Sequence, residues 1–320
     1  MAETDGQQTE HFDVLIVRAG ILGVGSAYHP QTQCPDKSYA VLEALESFGG
    51  TWWMHRYPGI RSDSDLYTFG YRFKPWTGTP IATADEILKY MGEVIEDNGI
   101  DEHIRYQHHI DSASWSSDTQ TWRLAGRCSD TGAPFAFTCN LLWMCQGYYE
   151  HARGYTPEWD GMDSFRGQIV HPQTWPENLD YRGKRVLVIG SGATTATVVP
   201  AIASDCEHVT VLQRSPTYFI PGRNENPLAS QLRELQIDES WIHGSFAGRS
   251  STSRLNSPAD VSKSRKPPRM NCWQGSATTC LTTTTSRRTS PRATGPGARA
   301  SRSCRMGTFS KASRPARRTS

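Results

Sequence analysis

The feature that most constrains the fold is a unit that occurs twice: an apolar run, a glycine turn, a helix, and a second apolar run. Near the N-terminus Phe12, Val14, Leu15, Ile16 and Val17 form an apolar run without strict alternation, the pattern of a parallel strand buried on both faces. The turn that follows, Arg18-Ala19-Gly20-Ile21-Leu22-Gly23, sits where a GxGxxG fingerprint falls, with Gly20 and Gly23 in register and Arg18 in the place of the first glycine. A second strand, Tyr39-Ala40-Val41-Leu42, ends on Glu43, where an acid accepts hydrogen bonds from a ribose.

The second unit begins with Lys184-Arg185-Val186-Leu187-Val188-Ile189 and turns through Gly190-Ser191-Gly192-Ala193-Thr194-Thr195 into a helix directed towards Ala203. Its glycines let the backbone approach a pyrophosphate at the positive end of that helix. Thr195 stands where a small sixth residue is usual. The next strand, Val209-Thr210-Val211-Leu212, runs out on Gln213-Arg214-Ser215 instead of an acid. A guanidinium and a hydroxyl suit a 2′-phosphate, which a carboxylate would repel. The first site is therefore expected to take FAD or NAD and the second NADPH. Between the units, Thr83-Ala84-Asp85-Glu86 has the spacing of a capping box, and Ile87, Leu88, Met91, Val94 and Ile95 share one helical face before Asn98-Gly99. That helix is expected to serve core packing only.

Charge divides the chain at residue 243. Sixteen of the 34 Lys and Arg lie beyond it with only one of the 32 acids, Asp260, so the front is net −13 and the tail +15. The tail is poor in large apolar residues, too few to offset an ordering cost of roughly 1–2 kcal/mol per residue, and 244–320 is expected to be disordered. Its basic residues are not interleaved with aromatics for base stacking, so no specific nucleic-acid partner is expected. Neither a leader-type apolar segment nor a membrane-length run is present, which makes the cytoplasm the expected location. The eight cysteines include no CxxC and no metal-ligand spacing. That disfavours a pyridine nucleotide–disulfide reductase and gives no metal site.

The fold class expected is α/β: two Rossmann-like βαβ domains, the second incomplete, followed by a disordered tail. The divisions are 1–160 for the first dinucleotide domain, 161–243 for a linker signature and the start of the second, and 244–320 for the tail.

Phe165-Arg166-Gly167-Gln168-Ile169-Val170-His171-Pro172-Gln173-Thr174-Trp175-Pro176 matches the FxGxxxHxxxWP signature of Baeyer–Villiger monooxygenases. Gly49-Gly50-Thr51-Trp52, followed by Arg56-Tyr57-Pro58-Gly59-Ile60-Arg61-Ser62-Asp63, resembles the flavin-side segment of the same family. The resemblance covers about residues 10–243 and is closest to the bacterial branch that oxygenates ketones and activates thioamide prodrugs. It implies that Glu43 binds the FAD ribose and that Gly50, Thr51 and Trp52 line the flavin. It also implies that Arg61 and Asp63 lie where nicotinamide and isoalloxazine meet, Asp63 supporting a catalytic arginine. Gly190 to Thr195 would hold the NADP pyrophosphate and Arg214 with Ser215 the 2′-phosphate, while His171 would act at the domain linkage. The implied reaction takes electrons from NADPH and an oxygen atom from O2, and delivers the oxygen through FAD to a ketone, sulfide or amine. A non-catalytic, degenerate dinucleotide-binding protein is the alternative.

Three residues depart from the pattern: Arg18 in the first turn, Pro30 in the helix after it, and Leu45 where the family usually has an arginine. The tail departs entirely, and the genetic code offers a reason. Joining the last base of each codon to the first two of the next converts Met270-Asn271-Cys272-Trp273-Gln274 into Glu-Leu-Leu-Ala with no ambiguity. The same shift allows TPRYRPWR from Ser290 to Ala298 and FVPDGDLF from Arg302 to Ser310, strings similar to what the family carries next. A one-base frame shift near Gly244 is therefore expected. It would remove the rest of the NADPH domain and the family's catalytic arginine, leaving an inactive or impaired chain.

Overall fold

The computed structural model describes residues 9–214 and 219–246, and the backbone of two short segments further on. Two compact units emerge, one comprising residues up to Arg56 together with Ala84–Thr174, the other Tyr57–Thr83 together with the chain from Trp175. The first opens with β1 (Glu10–Val17), α1 (Ile21–Gln33), β2 (Tyr39–Leu42) and the one-turn helix α2 (Thr51–Met54). The chain then leaves it for 57–83, which carries α3 (Leu66–Phe69), and returns with α4 (Ala84–Asp97) and strands β3 (Ile104–Arg105), β4 (His108–Ser116), β5 (Thr121–Cys128) and β6 (Pro134–Met144).

The first unit's sheet has the order β3-β2-β1-β6-β5-β4. Strands β3, β2, β1 and β6 run parallel, and β6, β5 and β4 form an antiparallel meander. The apolar run of β1 occupies the centre because both of its faces are covered: Leu15 and Ile16 are wholly buried. Phe12, Leu15, Leu42, Leu124, Phe135 and Phe137 form the core below the sheet. The buried stripe of α4 is Ala84, Ile87, Tyr90, Met91, Val94 and Ile95, and Gly99 follows it at φ 61°, in the left-handed region that favours glycine. Leu88 of the expected stripe is only half-buried. Pro30 lies inside α1, with Cys34 donating to its carbonyl at 2.9 Å, so the helix runs through the proline instead of stopping before it.

The second unit is built on β7 (Arg185–Ile189), α5 (Ala193–Ile202) and β8 (His208–Gln213), followed by β9 (Phe219–Arg223) and α6 (Pro227–Glu234). Strands β7 and β8 are parallel, Val186 opposite Val209 and Ile189 opposite Leu212. Val198, Val199, Ile202, Cys206, Val209 and Val211 form its core. The backbone of β10 (Thr279–Thr283) pairs antiparallel with β9, and that of β11 (Arg305–Phe309) with β8. Apart from these two segments and 244–246, the stretch expected to be disordered lies outside the described residues.

Both parallel units leave apolar side chains uncovered. Leu141 and Trp143 of β6 are 52% and 38% exposed, and Leu187 and Ile189 of β7 are 56% and 50% exposed. No helix among the described residues is long and apolar enough to cross a membrane, and no His, Cys, Asp and Glu among them cluster as a metal site would require.

Candidate functional site

Each dinucleotide turn lies at the carboxyl ends of parallel strands, where open α/β sheets place ligands. In the first unit the register Val17 opposite Leu42 carries forward one residue to set Arg18 beside Glu43. The Arg18 amide donates to the Leu42 carbonyl at 2.8 Å and fixes that position. Glu43 is wholly buried. Its Oε2 accepts from the Ala19 amide at 2.7 Å, and its Oε1 accepts from the Leu45 amide at 3.0 Å and from the Arg18 guanidinium at 2.8 Å. The acid that the sequence marks for a ribose is therefore paired inside the chain.

Around it the turn keeps the shape of a dinucleotide fingerprint. A Cβ on Gly23 would fall 1.7 Å from the Arg18 carbonyl oxygen, so only glycine lets α1 start this close to β1. Gly20 caps α1 with extended backbone, and a Cβ on Gly50 would come 3.1 Å from the Gly20 Cα. Gly50 itself, at φ 54°, begins the turn into α2, where Thr51 and Trp52 are half-buried. Gly20, Gly23, Glu43, Gly50, Thr51 and Trp52 all lie in the first unit. Arg18 does not fit the pattern: it stands at φ 82°, a left-handed conformation that a residue with a Cβ rarely adopts. Taken as they stand, these residues do not offer FAD a free ribose acceptor.

In the second unit Gly190 turns at φ 126° and Gly192 caps α5 with extended backbone; a Cβ at Gly192 would meet nothing within 4 Å. Space beside Gly192 is therefore free, and Gly192 carries no side chain to cap α5, a helix N-terminus of the kind that favours an anion. Ser191, Ala193, Thr194 and Thr195 are half-buried around it. Arg214 is exposed at the end of β8, whereas Ser215 lies outside the described residues. This donor set fits a dinucleotide phosphate.

Residues 57–63, whose pattern resembles a flavin-side segment, lie in the second unit. The Pro58-Gly59 turn lies on α5: a Cβ on Gly59, at φ 74°, would fall 2.9 Å from the Ala201 Cβ and 3.2 Å from the Thr197 carbonyl. Tyr57 shares a hydrogen bond with Thr194 of the turn. Burial pushes its phenol pKa up, the Thr194 bond opposes this, and the Asp63 carboxylate adds to the rise. Arg61 is half-buried and bridges Thr83, while Asp63 is exposed and accepts from Ser64 at 3.3 Å. No local signal in the sequence announces the contact between Tyr57 and the second turn.

The FxGxxxHxxxWP segment ends where the chain passes from the first unit to the second. Phe165 is 59% exposed, and its ring covers Gly167, where a Cβ would be 2.6 Å away. His171 lies over Gly154, whose Cβ would be 2.0 Å from the ring, and its Nδ1 accepts from the Gln173 amide at 3.1 Å. Trp175 packs into the second core beside Tyr181, with ring centroids 6.2 Å apart. The signature histidine thus has a structural setting within its own unit.

Residues 80–228 match the family described as flavin-binding monooxygenase-like. The FAD-containing monooxygenase EthA of Mycobacterium tuberculosis is 51% identical over 226 residues, 70% of this chain and 46% of that protein. The front of this chain thus matches the flavin-binding monooxygenase-like family. The putative FAD-containing monooxygenase MymA of the same species is 48% identical over 239 residues, 73% of this chain and 48% of its own length. Among solved monooxygenase structures, cyclohexanone monooxygenase from Rhodococcus sp. Phi1 bound to NADP+ superposes with a TM-score of 0.57 at 28% identity, covering 68% of this chain and 41% of that one. Oxidized steroid monooxygenase bound to NADP gives 0.58 at 30% identity, with 70% and 42% covered. The chain spans about half the length of the curated monooxygenases it matches.

Proposed function

We propose that this chain carries the nucleotide-binding front of a FAD- and NADPH-dependent monooxygenase of the Baeyer–Villiger type, a cytoplasmic enzyme that inserts oxygen from O2 into a ketone or onto a sulfide or amine. The observation that carries the NADPH part is the second unit: a helix N-terminus without a side-chain cap after β7, and a guanidinium instead of a carboxylate at the end of β8. In this reading Gly190 to Thr195 hold the pyrophosphate and Arg214 with Ser215 the 2′-phosphate. Arg61 and Asp63 stand at the nicotinamide end, and Tyr57 holds their segment to Thr194. The solved relatives bound to NADP+ or NADP support the assignment.

The chain by itself does not complete the oxygenation in this reading, and its tail from about residue 244 is the one-base-shifted reading of a longer frame. Sequencing the gene across the codons for Trp241 to Ser250 tests the shift directly: an intact frame in genomic DNA refutes it. Nucleotide preference is tested by calorimetric titration of the purified chain with NADP+ and NAD+. NADP+ is expected to bind at least about tenfold more tightly, a difference of about 1.4 kcal/mol, and Arg214→Ala is expected to erase the preference. Equal affinities in the parent chain would refute the reading. A second reading, a non-catalytic dinucleotide-binding protein, is favoured by one specific observation, the pairing of Glu43 with Arg18.

A further inference from the structure

We propose that Arg18 closes the first dinucleotide site of this chain from within, its guanidinium occupying the carboxylate that the adenosine ribose of FAD would use. The proposal rests on reading Glu43 as the ribose acid of a monooxygenase FAD site.

A carboxylate offers about four lone-pair positions. Three on Glu43 are already taken, by the amides of Ala19 and Leu45 and by the Arg18 guanidinium. The two amides are backbone groups, one of the turn and one of the segment just after Glu43, and neither depends on the side chain at position 18. The guanidinium is the extra partner. That leaves about one lone-pair position, on Oε2 of a wholly buried side chain, so the two hydroxyls of a ribose can both pair with Glu43 only by displacing the guanidinium.

Displacement is unfavourable for two reasons. Glu43 is wholly buried and the Arg18 side chain is only 20% exposed, so separating them leaves one charge or both poorly compensated until the ligand arrives. The cavity beside Arg18 is walled by Leu42, Leu142, Met144 and Gln146 among others, and its lining supplies no second carboxylate. The position is also strained: at φ 82° a residue with a Cβ is held in a conformation natural to glycine. Backbone bonds of Arg18 and Ala19 fix that conformation, and the ion pair adds to them.

The glycine framework of the turn is intact, which confines the departure within the turn itself to one side chain. Gly23 still allows the close approach of α1 to β1, Gly20 and Gly50 still meet backbone to backbone, and α1 still begins at Gly20. Replacing Arg18 by glycine removes both the strain and the plug. The Glu43 carboxylate keeps its two backbone donors and presents its free face to the ribose.

The experiment titrates FAD into the purified full chain, its Arg18→Gly variant and its Arg18→Ala variant, following quenching of flavin fluorescence. FMN, which lacks the adenosine, serves as the control ligand, and circular dichroism establishes that each variant folds like the parent. Arg18→Gly is expected to bind FAD at least about tenfold more tightly than the parent, Arg18→Ala to gain less because its Cβ keeps the strain, and FMN to gain nothing. Unchanged FAD affinity in Arg18→Gly overturns the proposal, whether parent and variant both bind or neither does. An equal gain for FMN overturns it too. Should Arg18→Gly fail to fold, Arg18→Ala decides by the same criterion of a gain confined to FAD. NADP+ titration of the same preparations separates this outcome from the family reading: lost NADP+ preference with a gain in FAD affinity refutes only the latter, and the reverse pattern refutes only the Arg18 plug.

Discussion

Gly23→Ala should be among the most damaging single-methyl additions in the first unit. The new Cβ would lie 1.7 Å from the Arg18 carbonyl oxygen and 2.8 Å from its carbon, with the Cys145 Cβ 3.8 Å away. The oxygen cannot retreat, because its residue and the next are tied on both sides. The Arg18 amide is bonded to Leu42, the Ala19 amide to Glu43, and the Ala19 carbonyl accepts from Gly49 at 2.9 Å. Helix α1 must therefore lift off β1 by roughly 1.5 Å to restore an ordinary contact. Val24 and Ala27, both wholly buried against the sheet, lose packing as it does so. Overpacking of this kind costs about 1–3 kcal/mol and more when backbone must move; with the lost packing added, about 3–4 kcal/mol is expected. A total stability of roughly 5–15 kcal/mol makes that a large fraction. In urea unfolding followed by far-UV circular dichroism, a slope of about 2–3 kcal/mol per M turns it into a midpoint drop of about 1–2 M. Gly92→Ala is the internal control. Its Cβ would meet only the far end of the Phe48 ring, at 3.3 Å, and inside α4 the helix gains about 1 kcal/mol from losing a glycine. A Gly23→Ala midpoint within error of the parent, or a Gly92→Ala loss as large as that of Gly23→Ala, would refute the reasoning.

Pro30→Ala should stabilise the chain by about 1 kcal/mol, since an interior proline removes one helical donor and the buried ring it replaces is small; a lower urea midpoint for the variant would count against this. Arg105→Ala should cost about 1 kcal/mol or less at pH 7, because its forked pair with Glu10, at 2.6 Å for both bonds, is partly exposed. The Arg105 hydrogen bond holds the Glu10 pKa below its ordinary 4.5, so that contribution is full above 4.5 and is lost as pH falls through the lowered folded value. The difference between variant and parent should therefore shrink in acid, and a constant difference from pH 7 to pH 3 would contradict it. His243 is 3% exposed, and its Nδ1 finds no hydrogen-bond partner among the described residues. Burial, and then the nearby Arg72 charge, hold its pKa below 6.5. The unfolded chain therefore takes up the proton first, and stability that is full above 6.5 declines as pH falls towards the folded value. His243→Leu should flatten that decline in a thermal-melt series between pH 7 and 5; an unchanged slope would show that another group carries it.

What was legible in the sequence was what short-range pattern dictates. Strand β1, strand β2 and the βαβ unit of β7, α5 and β8 follow from buried apolar runs separated by glycine turns, and each turned up within a few residues of its expected place. The antiparallel meander was not legible, and β4 shows why. His108-His109-Ile110-Asp111-Ser112-Ala113-Ser114-Trp115-Ser116 is largely solvent-facing and carries no apolar alternation, so only its partner β5 makes it a strand. In β6 the alternation does exist, Phe135, Phe137 and Cys139 being buried, but it gives way to the exposed Leu141 and Trp143. The allegiance of 57–63 to α5 depends on Gly59 fitting against Ala201, a contact between residues 142 positions apart that no local pattern encodes.

The Arg18–Glu43 pair falls between these cases. Neither residue alone signals it: an arginine in a glycine position reads as a defect, and an acid after the second strand reads as a ribose ligand. Their meeting follows from the parallel register, because both stand one residue beyond the last paired positions of neighbouring strands, Val17 and Leu42. Residues so placed on adjacent parallel strands must face each other at the mouth of the site. A departure in the turn and the functional acid are therefore one feature, and the same geometry that brings Glu43 to a dinucleotide brings Arg18 to Glu43.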